Sequence, residues 1–150
     1  MRKMLILISL FFAITGCGDN PPQDAVVTGP ADGTFEVGIS SVSSPVRWRP
    51  LDFTVRNEDG VALPDIEIEF FSTGIAQLTN LDGNLLANPS GFKTKTDDRG
   101  VARSAITMEI PGCGGGTTDI VVTGGVLGTV GSSSHNFLAT VTRKCSTGGP

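Results

Sequence analysis

Apolar and polar side chains trade places with a period of two in run after run of this chain, and that alternation constrains the fold more than any other feature. Leu51, Phe53 and Val55 alternate with Asp52, Thr54 and Arg56, and Ile66, Ile68 and Phe70 alternate with Asp65, Glu67 and Glu69. Ala102, Ser104, Ile106 and Met108 share one face of the run from Val101, and Phe137, Ala139 and Val141 share one face near the end. Successive strand residues point to opposite faces, so each run predicts a strand with one face in a core and one in water. Turn chemistry separates the runs: Asp59-Gly60, then Asp97 to Gly100, then Gly131 ahead of a group of serines. No stretch beyond residue 17 carries a helical period, and 20 glycines among 150 residues disfavour helix. The expected fold is all-β, an antiparallel β-sandwich. The segment 72–91, interrupted by Asn, Pro and Gly, is expected to cross between its two sheets.

The front of the chain follows a different pattern. Met1-Arg2-Lys3 precedes Met4–Ile14, which is apolar except for Ser9, and small residues follow. This is the layout of a secretory signal peptide, and the apolar run falls well short of the roughly 20 residues that span a bilayer. Ile14-Thr15-Gly16-Cys17 then resembles the bacterial lipobox, an aliphatic residue and two small ones ahead of an obligatory cysteine. That resemblance implies removal of residues 1–16 as a lipoprotein signal peptide, with a diacylglyceryl group on Cys17 and usually an acyl group on its freed amine. Two or more acyl chains anchor a protein stably, whereas one does so only marginally. Gly18, not aspartate, follows the cysteine, which by the same resemblance favours the outer membrane of the cell envelope. The competing reading is a secreted protein cut nearby, with Cys17 left as a thiol. Residues 17–33, rich in Pro, Gly and Asp, read as a flexible tether reaching on the order of 50 Å, ahead of a domain over 34–145 and a short tail over 146–150.

Removing the first 16 of 150 residues leaves 134, enough for one core. It also removes Arg2 and Lys3, so the formal charge of −4 becomes −6. A mildly acidic chain with scattered basic residues argues against nucleic acid, whose phosphates need clustered Lys and Arg. Cys113 and Cys145 remain, and in an oxidising compartment a bond between them is the simplest assignment, worth roughly 3–4 kcal/mol in the chain-entropy model. His135 is the sole histidine and no CxxC or HxxxH spacing occurs, so a zinc site lacks ligands. Asn80, Asp82 and Asn84 offer oxygens, yet the glycine falls too early for an EF-hand and no glutamate closes the loop, which favours a turn. No metal and no other cofactor is expected.

The order "VRNEDGVALPDIEIEFFSTG", "KTKTDDRGVARSAITM" and "HNFLATV" resembles the bacterial immunoglobulin-like domains of intimin and invasin type adhesins. The residues that carry the likeness are Gly60 and Pro64, then Ile66, Ile68 and Phe70, then Thr96, Asp97, Gly100 and Ala102. Asn57 stands in place of that family's first hairpin aspartate and Ala62 in place of its first proline, and the Gly-rich stretch around Cys113 has no counterpart in the usual pattern. The resemblance covers roughly residues 34–143 and implies an immunoglobulin-like sandwich with a binding, adhesive or scaffolding role.

Catalytic constellations are thin. His135 follows a group of serines, but neighbours in sequence do not make a nucleophile and base. Glu67 and Glu69 fall on one outward face and read as a solvated surface. No catalytic residue is therefore assigned. Arg47, Trp48 and Arg49 form the one notable basic group and the binding candidate: an exposed tryptophan between arginines would stack on a glycan or protein, whereas period two places Trp48 in the core with the arginines outside. The function expected is that of a non-enzymatic, lipid-anchored envelope protein, partnered by the membrane through Cys17 and by a protein or glycan at the cell surface. Two alternatives stay open, an accessory subunit of a surface or secretion assembly and a small envelope hydrolase or sugar-binding protein.

Overall fold

The computed structural model describes residues 21–39, 43–113 and 118–145. The signal-peptide segment, Cys17 and the tail 146–150 lie outside the described residues. One sheet runs β1 (Val26–Thr28), β3 (Ser44–Arg56), β7 (Val101–Ile110), β5 (Ala76–Leu78) from edge to edge. The other runs β2 (Gly33–Ile39), β9 (Ser133–Cys145), β8 (Ile120–Val130), β4 (Glu67–Gly74), β6 (Gly91–Lys95). The two pack face to face as an immunoglobulin-like β-sandwich. All strand pairings are antiparallel except that of β2 with β9, which is parallel.

The period-two faces become the core. Leu51, Phe53 and Val55 from β3, Ala102, Ile106, Met108 and Ile110 from β7, Ile68 and Phe70 from β4, and Phe137, Ala139 and Val141 from β9 are all buried together. Along β3 the register slips between Trp48 and Leu51, around Pro50, which has no N–H to give the ladder. The slip changes the phase of the strand, so that Trp48 and Leu51, three apart, both pack toward the core. Segment 72–91 does cross over: the chain leaves β4 in one sheet, forms β5 at the edge of the other, and returns to pair β6 with β4.

Of the expected tether over residues 17–33, residues 17–20 lie outside the described residues, and the part from Pro21 on needs correction. Val26–Thr28 pairs with Arg56–Thr54 of β3, and Ala25 and Val27 are buried. Pro21 already touches the hairpin between β8 and β9, where a Cβ added at Gly131 would lie 3.3 Å from its Cγ. The polar composition misled because a three-residue strand has no visible period, and because the surface that buries Ala25 and Val27 comes from distant parts of the chain.

The sandwich has two distinct ends. One gathers Pro21, the Gly131 hairpin, the turn from Asn57 to Leu63 and the turn from Asp97 to Gly100. Val27 N–H donates to Ser133 Oγ (2.9 Å), and Thr96 Oγ1 donates to Leu63 O (2.7 Å) while accepting from Ile66 N–H (3.0 Å). Gly100 fits there at φ +72°, and any Cβ would lie 2.6 Å from Val55 O. The other end holds the Cys113–Cys145 bond, with Ile39 paired to Cys145 and Ser44 to Ile110. Between them β8 runs through 11 residues, on the order of 35 Å at about 3.3 Å per residue.

Candidate functional site

Trp48 is half-buried, packed edge-on against Phe137 with ring centroids 6.5 Å apart. It sits over Gly33, where a Cβ would come within 3.1 Å of its Nε1. Arg47 and Arg49 are exposed. Both guanidinium arms lie against the turn 80–84: Arg49 Nη1 donates to Leu81 O (2.8 Å), and a Cβ on Gly83 would stand 3.4 Å from Arg47 Cδ and 3.5 Å from Arg49 Nη1. Two groups far apart in sequence thus form one surface.

The turn is held by its own chemistry. Asn80 Oδ1 accepts the N–H groups of Asp82 (3.0 Å) and Asn84 (2.9 Å), and Gly83 takes φ +90°. That side-chain oxygen therefore serves the turn and not a cation. No His, Cys, Asp or Glu group suited to a metal occurs among the described residues. Leu81 and Leu85, in the same loop, are 48% and 56% exposed. The result is a surface with two guanidinium groups beside exposed aliphatic side chains, a combination suited to contact with another macromolecule.

His135 is held within the structure. Its Nε2 lies 3.1 Å from Pro30 O and its ring stands edge-on to Phe53, centroids 5.8 Å apart. Neither His135 nor Trp48 lines the surface depressions near Pro21 and Gly131 or the one beside Ile75.

At the disulfide end the cysteine Cα atoms are 5.8 Å apart. A disulfide belongs to an oxidising compartment outside the cytoplasm. Two further devices hold the base of the same loop. Arg143 is buried, 7% exposed, and donates from Nη1 to Pro111 O (3.0 Å) and Gly112 O (2.7 Å) and from Nη2 to Thr118 O (2.9 Å). Asp119 accepts the Cys145 N–H at 3.1 Å and pairs with Lys144 Nζ at 3.1 Å. Sequence reasoning missed Arg143, although a signal was there: it continues the inward phase of Phe137, Ala139 and Val141.

Asp119 and Asp97 share one electrostatic signature. Backbone N–H donors, from Cys145 to Asp119 and from Val101 and Arg99 to Asp97, hold both carboxyls below the ordinary carboxylate range. Folding therefore favours their ionised forms. The stability they contribute is present above the ordinary carboxylate pKa and is lost as pH falls through the lower folded values. Urea midpoints taken at neutral pH and at about pH 3 should show a smaller acid loss for Asp97→Asn/Asp119→Asn than for the parent chain. An equal acid loss in both would mean that other carboxylates set the response.

No protein-family model and no curated protein matches the chain. Among solved structures it is similar to the CooA pilin subunit from enterotoxigenic Escherichia coli, at 9% identity and a TM-score of 0.39, covering 82% of this chain and 99% of that one. A likeness that slight brings nothing of that protein's role to this one.

Proposed function

We propose that this is a non-enzymatic, lipid-anchored protein of the bacterial cell envelope whose immunoglobulin-like domain serves binding, adhesion or scaffolding. The observation that carries the proposal is Cys17, which closes a lipobox-like Ile-Thr-Gly-Cys directly after a signal-peptide pattern. The disulfide-locked, all-sheet domain that follows is consistent with export. The surface of Arg47, Arg49, Leu81 and Leu85 is where a partner docks, through carboxylates that pair the guanidinium groups and apolar groups that cover the leucines.

The intact mass of protein purified from its own membranes, before and after reduction, tests the anchor. The expected species begins at Cys17, carries acyl mass and gains two hydrogens on reduction, and Cys17→Ser moves the protein to the soluble fraction. An unacylated chain, or one that stays with the membrane after Cys17→Ser, overturns the anchor. Photo-crosslinking from Leu85 in intact cells tests the surface. It is expected to capture an envelope component that is lost with Arg47→Glu/Arg49→Glu.

A further inference from the structure

We infer that the end of the sandwich built by Pro21, the Gly131 hairpin and the Asn57–Leu63 turn is seated on the phospholipid headgroup layer, with the disulfide end directed outward. This rests on the acylation of Cys17 proposed above. Three residues, Gly18, Asp19 and Asn20, separate Cys17 from Pro21, so even a fully extended connection of four residue steps spans at most about 14 Å. Pro21 is fixed at one end of the molecule, 3.3 Å from the Cβ position of Gly131. The strand β8, which begins beside the disulfide end and finishes at Gly131, is 11 residues long, on the order of 35 Å. The connection is thus much shorter than the domain, and only the Pro21 end lies within its reach of an acylated Cys17.

Val61, at the tip of the Asn57–Leu63 turn, is 59% exposed and can enter the interface. Around it Glu58, Asp59, Asp65, Asp97 and Asp98 outnumber Arg56, Lys95 and Arg99, so the short connection, against a mildly acidic surface and not by a basic field, brings the end to the lipid. The Arg47, Arg49 and Leu81 surface and the loop clamped by Arg143 then stay clear of the membrane. In the tether expected from sequence alone, every orientation would have been open.

The test uses the full-length acylated protein in vesicles of phosphatidylethanolamine and phosphatidylglycerol doped with headgroup spin-labelled lipid. p-Azidophenylalanine is introduced either at Ser132, in the Gly131 hairpin, or at Glu109, next to last in β7 at the other end, and each is coupled to a fluorophore. The expected result is several-fold stronger quenching at Ser132 than at Glu109. Inserting about 20 Gly-Ser residues between Asn20 and Pro21, with a reach of order 25 Å, should erase most of that difference. Equal quenching at both positions, as in a domain lying flat, or a difference that survives the insertion, overturns the seat. The intact mass of the same samples separates the two failures: acylated protein with equal quenching removes the seat alone, whereas a chain without acyl mass removes anchor and seat together.

Discussion

Replacing Phe53 by alanine should cost the domain about 3–5 kcal/mol and lower its melting temperature by roughly 10–20 °C. Phe53 is fully buried, and its ring meets Phe70 edge-on with centroids 4.9 Å apart and His135 at 5.8 Å. It thereby joins β3 of one sheet to β4 and β9 of the other. The floor beneath it has no side chain to give: a Cβ on Gly128 would lie 2.9 Å from Phe53 Cδ1 and 3.0 Å from Phe70 Cε1, and one on Gly29 would lie 3.0 Å from Phe53 Cδ1. Cavity cost depends on how far the surroundings can collapse, and glycine backbone held in a ladder cannot move in to fill the space. The same geometry makes Gly128→Ala an overpacking change of about 1–3 kcal/mol when Phe53 is present. In Phe53→Ala/Gly128→Ala, however, the new methyl enters the space the ring has left. The double variant should therefore be clearly more stable than the sum of the two single losses predicts. Thermal unfolding of the four proteins by calorimetry measures this, and strict additivity would show that the ring does not rest on Gly128.

This contact also marks the boundary of what the sequence made legible. That Phe53 faces inward follows from its place between Leu51 and Val55, as it does for Ile68, Phe70, Ile106, Met108, Phe137 and Val141, all buried as the alternation requires. The alternation says nothing about which strand lies opposite. That Phe53 rests on Gly128, or that β2 runs parallel to β9, is decided by how the two sheets are stacked. Local composition misled at Val26–Thr28, whose burial comes from the rest of the sandwich. The loop side-chain chemistry was readable where it is local: Asp97 Oδ1 accepts the N–H groups of Arg99 (2.9 Å) and Val101 (3.0 Å), closing the turn its sequence suggests. The candidate surface was legible only in pieces. Arg47 and Arg49 stood out as a basic pair and the 80–84 stretch as a turn, but more than 30 residues separate Arg49 from Gly83, and only the crossover through β5 brings them together.

Removing the disulfide as Cys113→Ala/Cys145→Ala should cost about 3–4 kcal/mol while leaving the sandwich folded. The bond closes a separation of 32 residues, and losing it returns that chain entropy to the unfolded state. The folded state keeps its register because β8 and β9 are paired from Ile120–Arg143 to Val130–Ser133 without it. Arg143 makes the outcome informative beyond its size. Its guanidinium satisfies the carbonyls of Pro111, Gly112 and Thr118 in a site where the side chain is 7% exposed. With the disulfide in place, Arg143→Met leaves those carbonyls pinned next to an apolar side chain and should cost about 2–4 kcal/mol, since an unpaired buried acceptor bears its full desolvation penalty. Without the disulfide the loop is free to move and the same carbonyls reach water, so the same substitution should cost markedly less. Urea unfolding of the parent, the two variants and their combination measures the coupling. A combined loss well below the sum of the two separate losses is the expected result. Full additivity would mean that the loop holds its place without the disulfide, and that Arg143 and the bond stabilise it independently.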